Sequence, residues 1–554
     1  MPDIHTDSPL ERAVRRCRER GVLIPTFAQL KDPTNIPQKI KQRLANVGLS
    51  DLDPANLFRI TWKNEPVERG GGFNRGNWIE FPSILTGVDA RIIGLLGRWF
   101  PTGAHKVGAA FGCLVPRLVG GQFDPTTQKA VWPSTGNYCR GGAYDCALLG
   151  CTPVAILPEG MSRERFEWLR SIGAEVIATP GSESNVKEIY DKCWEIRRTR
   201  PDCVIFNQFE EFGNAAWHYH LTGGVIDEVY QRVAQPPSPA SVAQPPPPAS
   251  VAQPPSAVSA PGGTVSRSEA AEASTRGRTA HGLAAPDRAT RTAPLDPNPE
   301  RERRASPPRL AAFVSATGSA GTIAAGDYLK TRHPHVRVVA AEALQCPTLL
   351  QCGFGEHRIE GIGDKHVPWI HNVRNTDMVA AVDDEQCVRL MRLFNEDAGR
   401  TVLERRGVPR GIVDRLPDIG ISSICNLVAA IKLAKYYELD ARDVVFTVFT
   451  DSMKLYGSRL EEYRRQRGPH READAIADAA RFLDGVTTDH LRELSYADRK
   501  ALHNLKYFTW VEQQGRTADE LRRLWDPDFW AETYAHVADW DRRIEEFNRQ
   551  VRAA

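Results

Sequence analysis

Short, continuous apolar runs alternate along most of the chain with longer segments of helical periodicity. The runs at 152–157 and 444–449 have the length and the β-branched content of strands that are buried on both faces. The segments at 162–172 and 423–436 repeat their apolar residues at helical spacing. Further strands are predicted at 175–178, 204–206, 310–314 and 336–340, and further helices at 184–198, 320–331 and 384–397. This alternation predicts an α/β fold with largely parallel sheets and helices on their faces.

One segment, residues 233–308, departs from this pattern. It contains no Phe, Trp or Tyr, and Ala-Gln-Pro-Pro recurs in it at residues 234, 243 and 252. Such a composition cannot bury enough apolar surface to offset the entropy that is lost on ordering. We therefore predict a disordered, Pro-rich insertion at the surface of one domain.

The length of the chain indicates more than one domain. A chain of 554 residues exceeds what one core usually holds, so two domains with additional segments are expected. The last part of the chain is charged and Trp-bearing and has helical spacing. The predicted division is an N-terminal extension at 1–95, a smaller α/β domain at 96–212, a larger α/β domain at 213–232 and 309–465, the insertion at 233–308, and a helical C-terminal extension at 466–554.

Composition and charge exclude several classes of protein. The 71 basic and 69 acidic residues nearly balance, which gives no indication of a nucleic-acid partner. No apolar run approaches the length that spans a bilayer, and residues 1–21 alternate charges where an export signal would be apolar. The eleven cysteines are scattered without metal-ligand spacing. We therefore expect a cytoplasmic protein with reduced thiols, no membrane partner and no metal.

Two peptides in the first half carry residue types suited to chemistry. Lys106 lies between two glycines, just ahead of an apolar helix-like run at 109–119. Residues 134–138, Ser-Thr-Gly-Asn-Tyr, connect a short apolar run to a helix-like stretch, so they offer backbone N–H groups and a positive helix end to an anion such as an amino-acid carboxylate. Taken alone, the two peptides also fit a solvated lysine and an ordinary helix cap.

Two more peptides follow predicted strands in the second half. Residues 315–322, Ser-Ala-Thr-Gly-Ser-Ala-Gly-Thr, combine glycines that permit close backbone approach with hydroxyls, which suits a phosphate. Their spacing matches neither the dinucleotide fingerprint nor the P-loop, and a tight turn is the alternative. Residues 449–456, Phe-Thr-Asp-Ser-Met-Lys-Leu-Tyr, place Ser452 at the carboxyl end of a strand, where α/β sheets collect ligands. A polar turn is the alternative there.

The order of these peptides resembles that of cysteine synthase and cystathionine β-synthase, which are fold type II (tryptophan-synthase-β-like) pyridoxal-phosphate enzymes. Further segments follow in family order: Pro-Glu-Gly-Met-Ser-Arg-Glu-Arg at 158–165, Asn-Gln-Phe-Glu-Glu-Phe-Gly-Asn at 207–214, Glu-Gly-Ile-Gly at 360–363 and Gly-Ile-Ser-Ser at 420–423. The resemblance covers about residues 90–460, apart from the insertion. It implies two open, mostly parallel twisted sheets, pyridoxal 5′-phosphate in the cleft between them, and a homodimer.

The resemblance also implies a role for each peptide. Lys106 would hold the cofactor as a Schiff base and move the Cα proton of the substrate. Asn137 would hydrogen-bond the 3′ oxygen of the cofactor, and Ser452 would meet its pyridine nitrogen. The 5′-phosphate would be bound by Gly318, Ser319, Ala320, Gly321 and Thr322, and the substrate by Ser134, Thr135, Gly136, Asn137, Tyr138 and Arg140.

One departure from the family pattern and one ambiguity at the pyridine nitrogen leave alternatives open. Tyr138, Cys139 and Arg140 follow where the family usually has Thr-Gly, which suits a bulkier or acidic substrate if Arg140 pairs with a second carboxylate. An exposed arginine is the other interpretation. A hydroxyl at the pyridine nitrogen would favour β-elimination through an aminoacrylate, but the neighbouring Asp451 would reverse that argument if it faced the ring instead of Ser452.

The function that the resemblance implies is β-replacement on serine or an O-activated serine, through an aminoacrylate. A β-elimination that releases pyruvate and ammonia, as in cysteine desulfhydrases and serine or diaminopropionate ammonia-lyases, shares the first half-reaction and is the alternative. A catalytically silent regulator that binds pyridoxal phosphate or an amino acid is a third interpretation. The joint presence of Lys106, the 315–322 peptide and Ser452 argues against it.

Overall fold

The computed structural model describes residues 7–181, 186–235, 307–362 and 365–553. Most of the predicted insertion lies outside these ranges, as do the first residues of the helix predicted at 184–198 and Gly363 of the 360–363 peptide. In the part of the chain that is described, no helix is both long enough and apolar enough to cross a membrane.

The strands form two sheets. They are β1 (Trp78–Phe81), β2 (Arg91–Leu96), β3 (Lys129–Pro133), β4 (Thr152–Pro158), β5 (Glu175–Thr179), β6 (Cys203–Ile205), β7 (Arg309–Ala316), β8 (Arg337–Ala343), β9 (Met378–Val382), β10 (Asp443–Phe449) and β11 (Leu491–Glu493). Across the described ranges, the larger sheet has seven strands in the order β1-β2-β10-β7-β8-β9-β11, and the smaller has four in the order β5-β4-β3-β6. All pairs are parallel except those that attach the edge strands β1 and β11.

Helices cover the faces of both sheets. The α-helices are α1 (Pro9–Glu19), α2 (Phe27–Lys31), α3 (Gln38–Leu44), α4 (Ser83–Thr86), α5 (Lys106–Val119), α6 (Asn137–Leu149), α7 (Arg163–Ser171), α8 (Val186–Thr199), α9 (Phe212–Trp217), α10 (Gly224–Val233), α11 (Ala324–Arg332), α12 (Thr348–Gln351), α13 (Asp384–Asn395), α14 (Asp397–Arg405), α15 (Arg410–Val413), α16 (Ile421–Tyr436), α17 (Gly457–Arg467), α18 (Glu472–Asp478), α19 (Tyr496–Asn504), α20 (Ala518–Arg523) and α21 (Pro527–Arg552). Three π-helical segments are His218–Gly223, Ala479–Asp484 and Tyr507–Val511. The predicted α/β class with two mostly parallel sheets and a helical C-terminal part is confirmed.

Segments from both ends of the chain contribute to the larger sheet. β1 and β2 begin inside the predicted N-terminal extension, and β2 pairs in parallel with β10. β11 comes from the predicted C-terminal extension and pairs with β9. Residues 96–212 supply all four strands of the smaller sheet in the described part. The domain boundaries stay a prediction, and the larger sheet draws on more of the chain than they assign to it.

The long helix α21 packs against α1 and α5 through an apolar face. Ile544 and Phe547 are almost completely buried in this contact. Tyr534, on the same helix, stacks on Tyr219 with ring centroids 3.9 Å apart and donates a 2.6 Å hydrogen bond to Asp327 Oδ2. The C-terminal helix is therefore part of the main compact unit, which comprises residues 1–234 and 307–554.

Candidate active site

The loops that follow β3, β7 and β10 line one cavity, which encloses about 600 Å³ of space that is partly open to solvent. In parallel sheets the loops at the carboxyl ends of strands are where ligands bind. The cavity brings together most of the residues predicted from the sequence: Lys106, Ser134, Thr135, Asn137, Tyr138, Gly318, Ser319, Ala320, Gly321 and Thr322.

Lys106 is the first residue of α5, and its side chain is half-buried in the cavity. Its Nζ donates a 2.7 Å hydrogen bond to Ser319 Oγ and a longer one, of 3.4 Å, to Gln208 Oε1. The amine therefore stands directly beside the glycine-rich loop that follows β7. This is the arrangement that a lysine bound covalently to a phosphorylated cofactor needs.

The glycine-rich loop presents backbone donors to the cavity. The N–H groups of Gly318, Ser319, Gly321 and Thr322 find no acceptor among the described residues. Ala320 holds a left-handed conformation, with φ of 61°, which a residue with a side chain rarely adopts outside functional loops. Successive unpaired N–H groups ahead of a helix form a concave site for an anion.

The glycine-rich loop leaves little room for a side chain at Gly318 or Gly321. A Cβ atom at Gly321 would lie 1.9 Å from Asn214 Oδ1, and one at Gly318 would lie 3.2 Å from the carbonyl oxygen of Gly361. Asn214 is itself fixed, because its Nδ2 donates to Ser319 Oγ at 3.1 Å and to the carbonyl oxygen of Gln208 at 3.0 Å. The glycines therefore allow the chain to approach its neighbours closely.

His105 connects the lysine, the glycine-rich loop and the end of β10. Its Nδ1 lies 3.1 Å from the carbonyl oxygen of Thr450, and its Nε2 lies 2.9 Å from Thr322 Oγ1. Because a carbonyl oxygen only accepts, Nδ1 carries the proton and Nε2 accepts from the Thr322 hydroxyl. Burial, with Lys106 nearby, lowers the pKa of His105 to about 3, so the ring is neutral.

The turn at 134–138 precedes α6 and has a shape that only glycine permits. Gly136 has a φ of 145°, and a Cβ there would lie 2.3 Å from Arg165 Cδ. Its N–H donates to Ser134 Oγ at 3.1 Å. Tyr138 packs its ring edge-on against Trp132 inside the core, with ring centroids 5.3 Å apart, so its side chain is a packing element of the turn.

Asn137 is tied to the buried carboxyl group of Asp451. Its Nδ2 donates to Asp451 Oδ2 at 2.6 Å, and the hydroxyl of Tyr456 donates to the same oxygen at 2.7 Å. Burial raises the pKa of Asp451. Since an amide nitrogen carries two hydrogens, Asn137 keeps one donor for a ligand in the cavity.

Three predicted site residues, Gly136, Arg140 and Ser452, do not line this cavity. Ser452 and Arg140 line a neighbouring cavity together with Trp168, while Thr450 lines the cavity of Lys106. The chain leaves β10 after Phe449 and Asp451 bridges to Ala104, so Thr450, and not Ser452, reaches the lysine side. The contact of Ser452 with the pyridine nitrogen of the cofactor stays a prediction.

Four residues of the site were not predicted from the sequence: His105, Gln208, Asn214 and Thr450. Gln208 and Asn214 lie inside the 207–214 segment that carried the resemblance, so that segment was the available signal. His105 and Thr450 act through contacts between residues far apart in sequence, which no local pattern shows.

The cavity fits pyridoxal 5′-phosphate. It combines a primary amine, a loop of unpaired N–H groups shaped for a phosphate, and a buried amide whose Oδ1 has no partner in the described ranges. A polar group that is buried without a partner is costly, so these atoms indicate a bound ligand.

Comparison with known proteins agrees with this chemistry. The family model described as "Pyridoxal-phosphate dependent enzyme" matches residues 98–245. Cystathionine β-synthase of Saccharomyces cerevisiae is 22% identical over 463 residues, which are 81% of this chain and 73% of that protein. A probable cysteine synthase of Bacillus subtilis is 23% identical over 356 residues, which are 64% of this chain and 85% of that protein.

Among solved structures, a hydrogen sulfide-producing enzyme of Fusobacterium nucleatum matches with a TM-score of 0.50 and 20% identity. The match covers 76% of this chain and 93% of that chain, and it shows that the two share a fold. The resemblance seen in the sequence is thereby confirmed. Over residues 98–245 the chain matches the pyridoxal-phosphate dependent enzymes, and it is similar to the cysteine synthases and the cystathionine β-synthases.

Proposed function

We propose that the chain catalyses β-replacement on serine or an O-activated serine, in the manner of a cysteine synthase. The observation that carries this proposal is the 2.7 Å hydrogen bond from Lys106 Nζ to Ser319 Oγ, in the cavity that the 134–138 turn also lines. A lysine, a phosphate-type loop and a carboxylate-type turn in one cavity are what such a reaction requires.

The residues of the chain would hold the cofactor at three points. The N–H groups of the 318–322 loop would bind its phosphate, Lys106 would bond to it covalently, and Asn137 would donate its remaining Nδ2 hydrogen to the 3′ oxygen. When bound, pyridoxal phosphate supplies a conjugated ring that takes up the electron pair released at the substrate Cα.

The remaining steps belong to the protein. The turn at 134–138 would bind the substrate carboxylate through backbone N–H groups and the N-terminus of α6. Lys106 Nζ would move the Cα proton, since it is the amine beside the loop. The neutral His105 would hold Lys106 and the 318–322 loop in their relative positions through its hydrogen bonds, without adding a positive charge.

The test is to incubate the purified holoenzyme with O-acetylserine, with and without sulfide, and to measure cysteine and pyruvate. We expect cysteine to form only when sulfide is present, with little pyruvate. Pyruvate in both reactions without cysteine would establish β-elimination and contradict the proposal. Protein that takes up no pyridoxal phosphate would contradict the proposed enzyme activity.

Lys106→Ala tests the assignment of the lysine. We expect this variant to lose turnover and the visible absorption of the bound cofactor, because the covalent attachment is gone. The control is Lys39→Ala, which removes an exposed lysine from α3 and should leave both unchanged. A variant at Lys106 that absorbs and reacts like the wild type would show that another lysine carries the cofactor.

We also propose that the substrate is a small amino acid, that the protein is a homodimer and that it is located in the cytoplasm. The relatives named cysteine synthase and cystathionine β-synthase support the substrate class. Sedimentation equilibrium of the full chain measures the oligomeric state, and we expect a dimer.

A further inference from the structure

A second cavity, which encloses about 1080 Å³ of partly open space, lies beside the cofactor cavity. Three segments of the chain contribute to both cavities. Lys106, Tyr138 and Thr450 line the cofactor cavity, and Gly103, Arg140 and Ser452, close to them in sequence, line the second. Residues 48–51 and 66–68, from the N-terminal part of the chain, line it as well.

Arg140 is the unusual residue of this second cavity. Its side chain belongs to a residue that is only 4% exposed, yet its Nε and Nη1 find no acceptor among the described residues. Burial, with Arg165 nearby, lowers the pKa of Arg140 to about 10. A buried guanidinium is normally paired, because its N–H groups lose their hydrogen bonds to water.

The ring of Trp168 orients the guanidinium group. The central carbon of Arg140 lies 4.5 Å from the ring centroid, and Trp168 lines the same cavity. An arginine held against an aromatic face keeps its N–H groups at its edge, where they match the two oxygens of a carboxylate. The guanidinium group is thus held in one orientation beside the cavity.

The other charges around this cavity do not satisfy Arg140. Arg98 pairs with Asp418, and the Asp51 carboxylate accepts from the N–H of Gly48 at 2.7 Å. Asp451 interacts with Arg140 through its charge, but its Oδ2 already accepts from Asn137 and Tyr456. The remaining charged residues of the lining are Glu68 and Lys454.

We propose that the second cavity binds a small carboxylate whose remainder is neutral or cationic, with the guanidinium group of Arg140 as its cationic partner. Asp51 and Glu68 disfavour a second negative charge on the ligand, so a zwitterion such as an amino acid suits the lining better than a phosphate or a dicarboxylate. This site is separate from the turn at 134–138, and it does not depend on which reaction Lys106 supports.

The experiment is calorimetric titration of the holoenzyme, loaded with pyridoxal phosphate so that its phosphate loop is filled. The probes are propionate, glycine betaine and inorganic phosphate. Glycine betaine is a zwitterion without a primary amine, so it cannot react with the cofactor. We expect propionate and glycine betaine to bind, and phosphate to bind at least tenfold more weakly than either.

Variants assign the binding to Arg140. Arg140→Gln should weaken both carboxylate probes at least tenfold, and Trp168→Leu should weaken them less, because the charge stays while its orientation is lost. The matched control is Arg163→Gln, an exposed arginine of α7 that should bind like the wild type. The visible absorption of the cofactor confirms that each variant is folded.

Several results would overturn this proposal. Undiminished binding in Arg140→Gln would place the carboxylate elsewhere, and tight phosphate binding would make this a general anion site. Absence of propionate binding in an active wild-type enzyme contradicts this site alone. Carboxylate binding in an enzyme that fails to make cysteine contradicts the proposed reaction alone.

Discussion

Single residues decide the geometry of the candidate site through contacts that span the sequence. Lys106 was predicted as the cofactor lysine only from the order of the peptides around it. Its hydrogen-bond partner Ser319 comes from the other half of the chain. His105 is next to the lysine, but its role depends on Thr322 and on the carbonyl group of Thr450. Residue types are readable from the sequence, whereas such long-range partners are set by the way the two sheets pack.

Ser452 illustrates the limit at this scale. The sequence correctly places it just after a buried strand, and every residue of β10 is buried. Which of Thr450, Asp451 and Ser452 lines the cavity of Lys106 depends on the turn that follows the strand, where Asp451 bridges to Ala104. A shift of one residue at a strand end moves a side chain to another face, and local pattern does not fix that shift.

Gly321→Ala tests the glycine-rich loop. The new methyl group would lie 1.9 Å from Asn214 Oδ1, so Asn214 must move and lose its hydrogen bond to Ser319. We expect the dissociation constant for pyridoxal phosphate to rise at least tenfold, measured by its visible absorption. Gly411→Ala is the control, because a Cβ at that position meets no atom within 4 Å. Equal cofactor affinity in the two variants would contradict the proposed phosphate site.

At the scale of elements, four of the predicted strands have long apolar runs. β4, β7, β8 and β10 were predicted because nearly all of their residues are buried between helices. The edge strand β1 has only four residues and alternates in burial, so it gives a short and weak signal. The strand β9 is fully buried, but its five residues include two alanines, which favour no strand.

The helix after the glycine-rich loop begins later than predicted. The apolar pattern indicated a helix from 320, whereas α11 begins at Ala324. Residues 318–322 form the loop of unpaired N–H groups instead. The first turn of a helix also leaves its N–H groups unpaired, so either starting point is compatible with a phosphate site, and the structure places the start at Ala324.

Glu342→Gln tests a buried carboxyl group at the end of β8. Glu342 accepts hydrogen bonds from the N–H groups of Leu349 and Leu350, and burial raises its pKa from 4.5 to about 7. The unfolded chain releases this proton near pH 4.5 and the folded protein near pH 7. Between these values the folded state binds more protons, so the free energy of unfolding falls as the pH rises, by about 3 kcal/mol.

The measurement is urea unfolding between pH 4.5 and 8 for the wild type and for Glu342→Gln. The variant should become more stable relative to the wild type as the pH rises to about 7. Above pH 8 the difference in unfolding free energy between the two proteins should stay constant. Other titrating groups contribute equally to both proteins and cancel in this difference. A difference that does not depend on pH would show that Glu342 ionises normally.

At the scale of the whole molecule, the C-terminal helix α21 joins the elements that carry the two halves of the candidate site. It packs against α5, which begins at Lys106. Through Tyr534 it also bonds to Asp327 on α11, which follows the phosphate-type loop. The sequence predicted a helix here without a partner, because its apolar face does not indicate which surface it covers.

Tyr534→Phe tests this connection. Removal of the hydroxyl takes one of three side-chain donors from Asp327, which is buried and keeps only Asn372 and Asn375. A lost hydrogen bond to a buried carboxyl group costs about 1–3 kcal/mol, and we expect a decrease of that size in the free energy of unfolding, measured in urea. Tyr496→Phe is the matched control, because Tyr496 is 69% exposed and should change stability by less than about 0.5 kcal/mol. Equal stability of the two variants would show that the hydrogen bond from Tyr534 to Asp327 does not stabilise the fold.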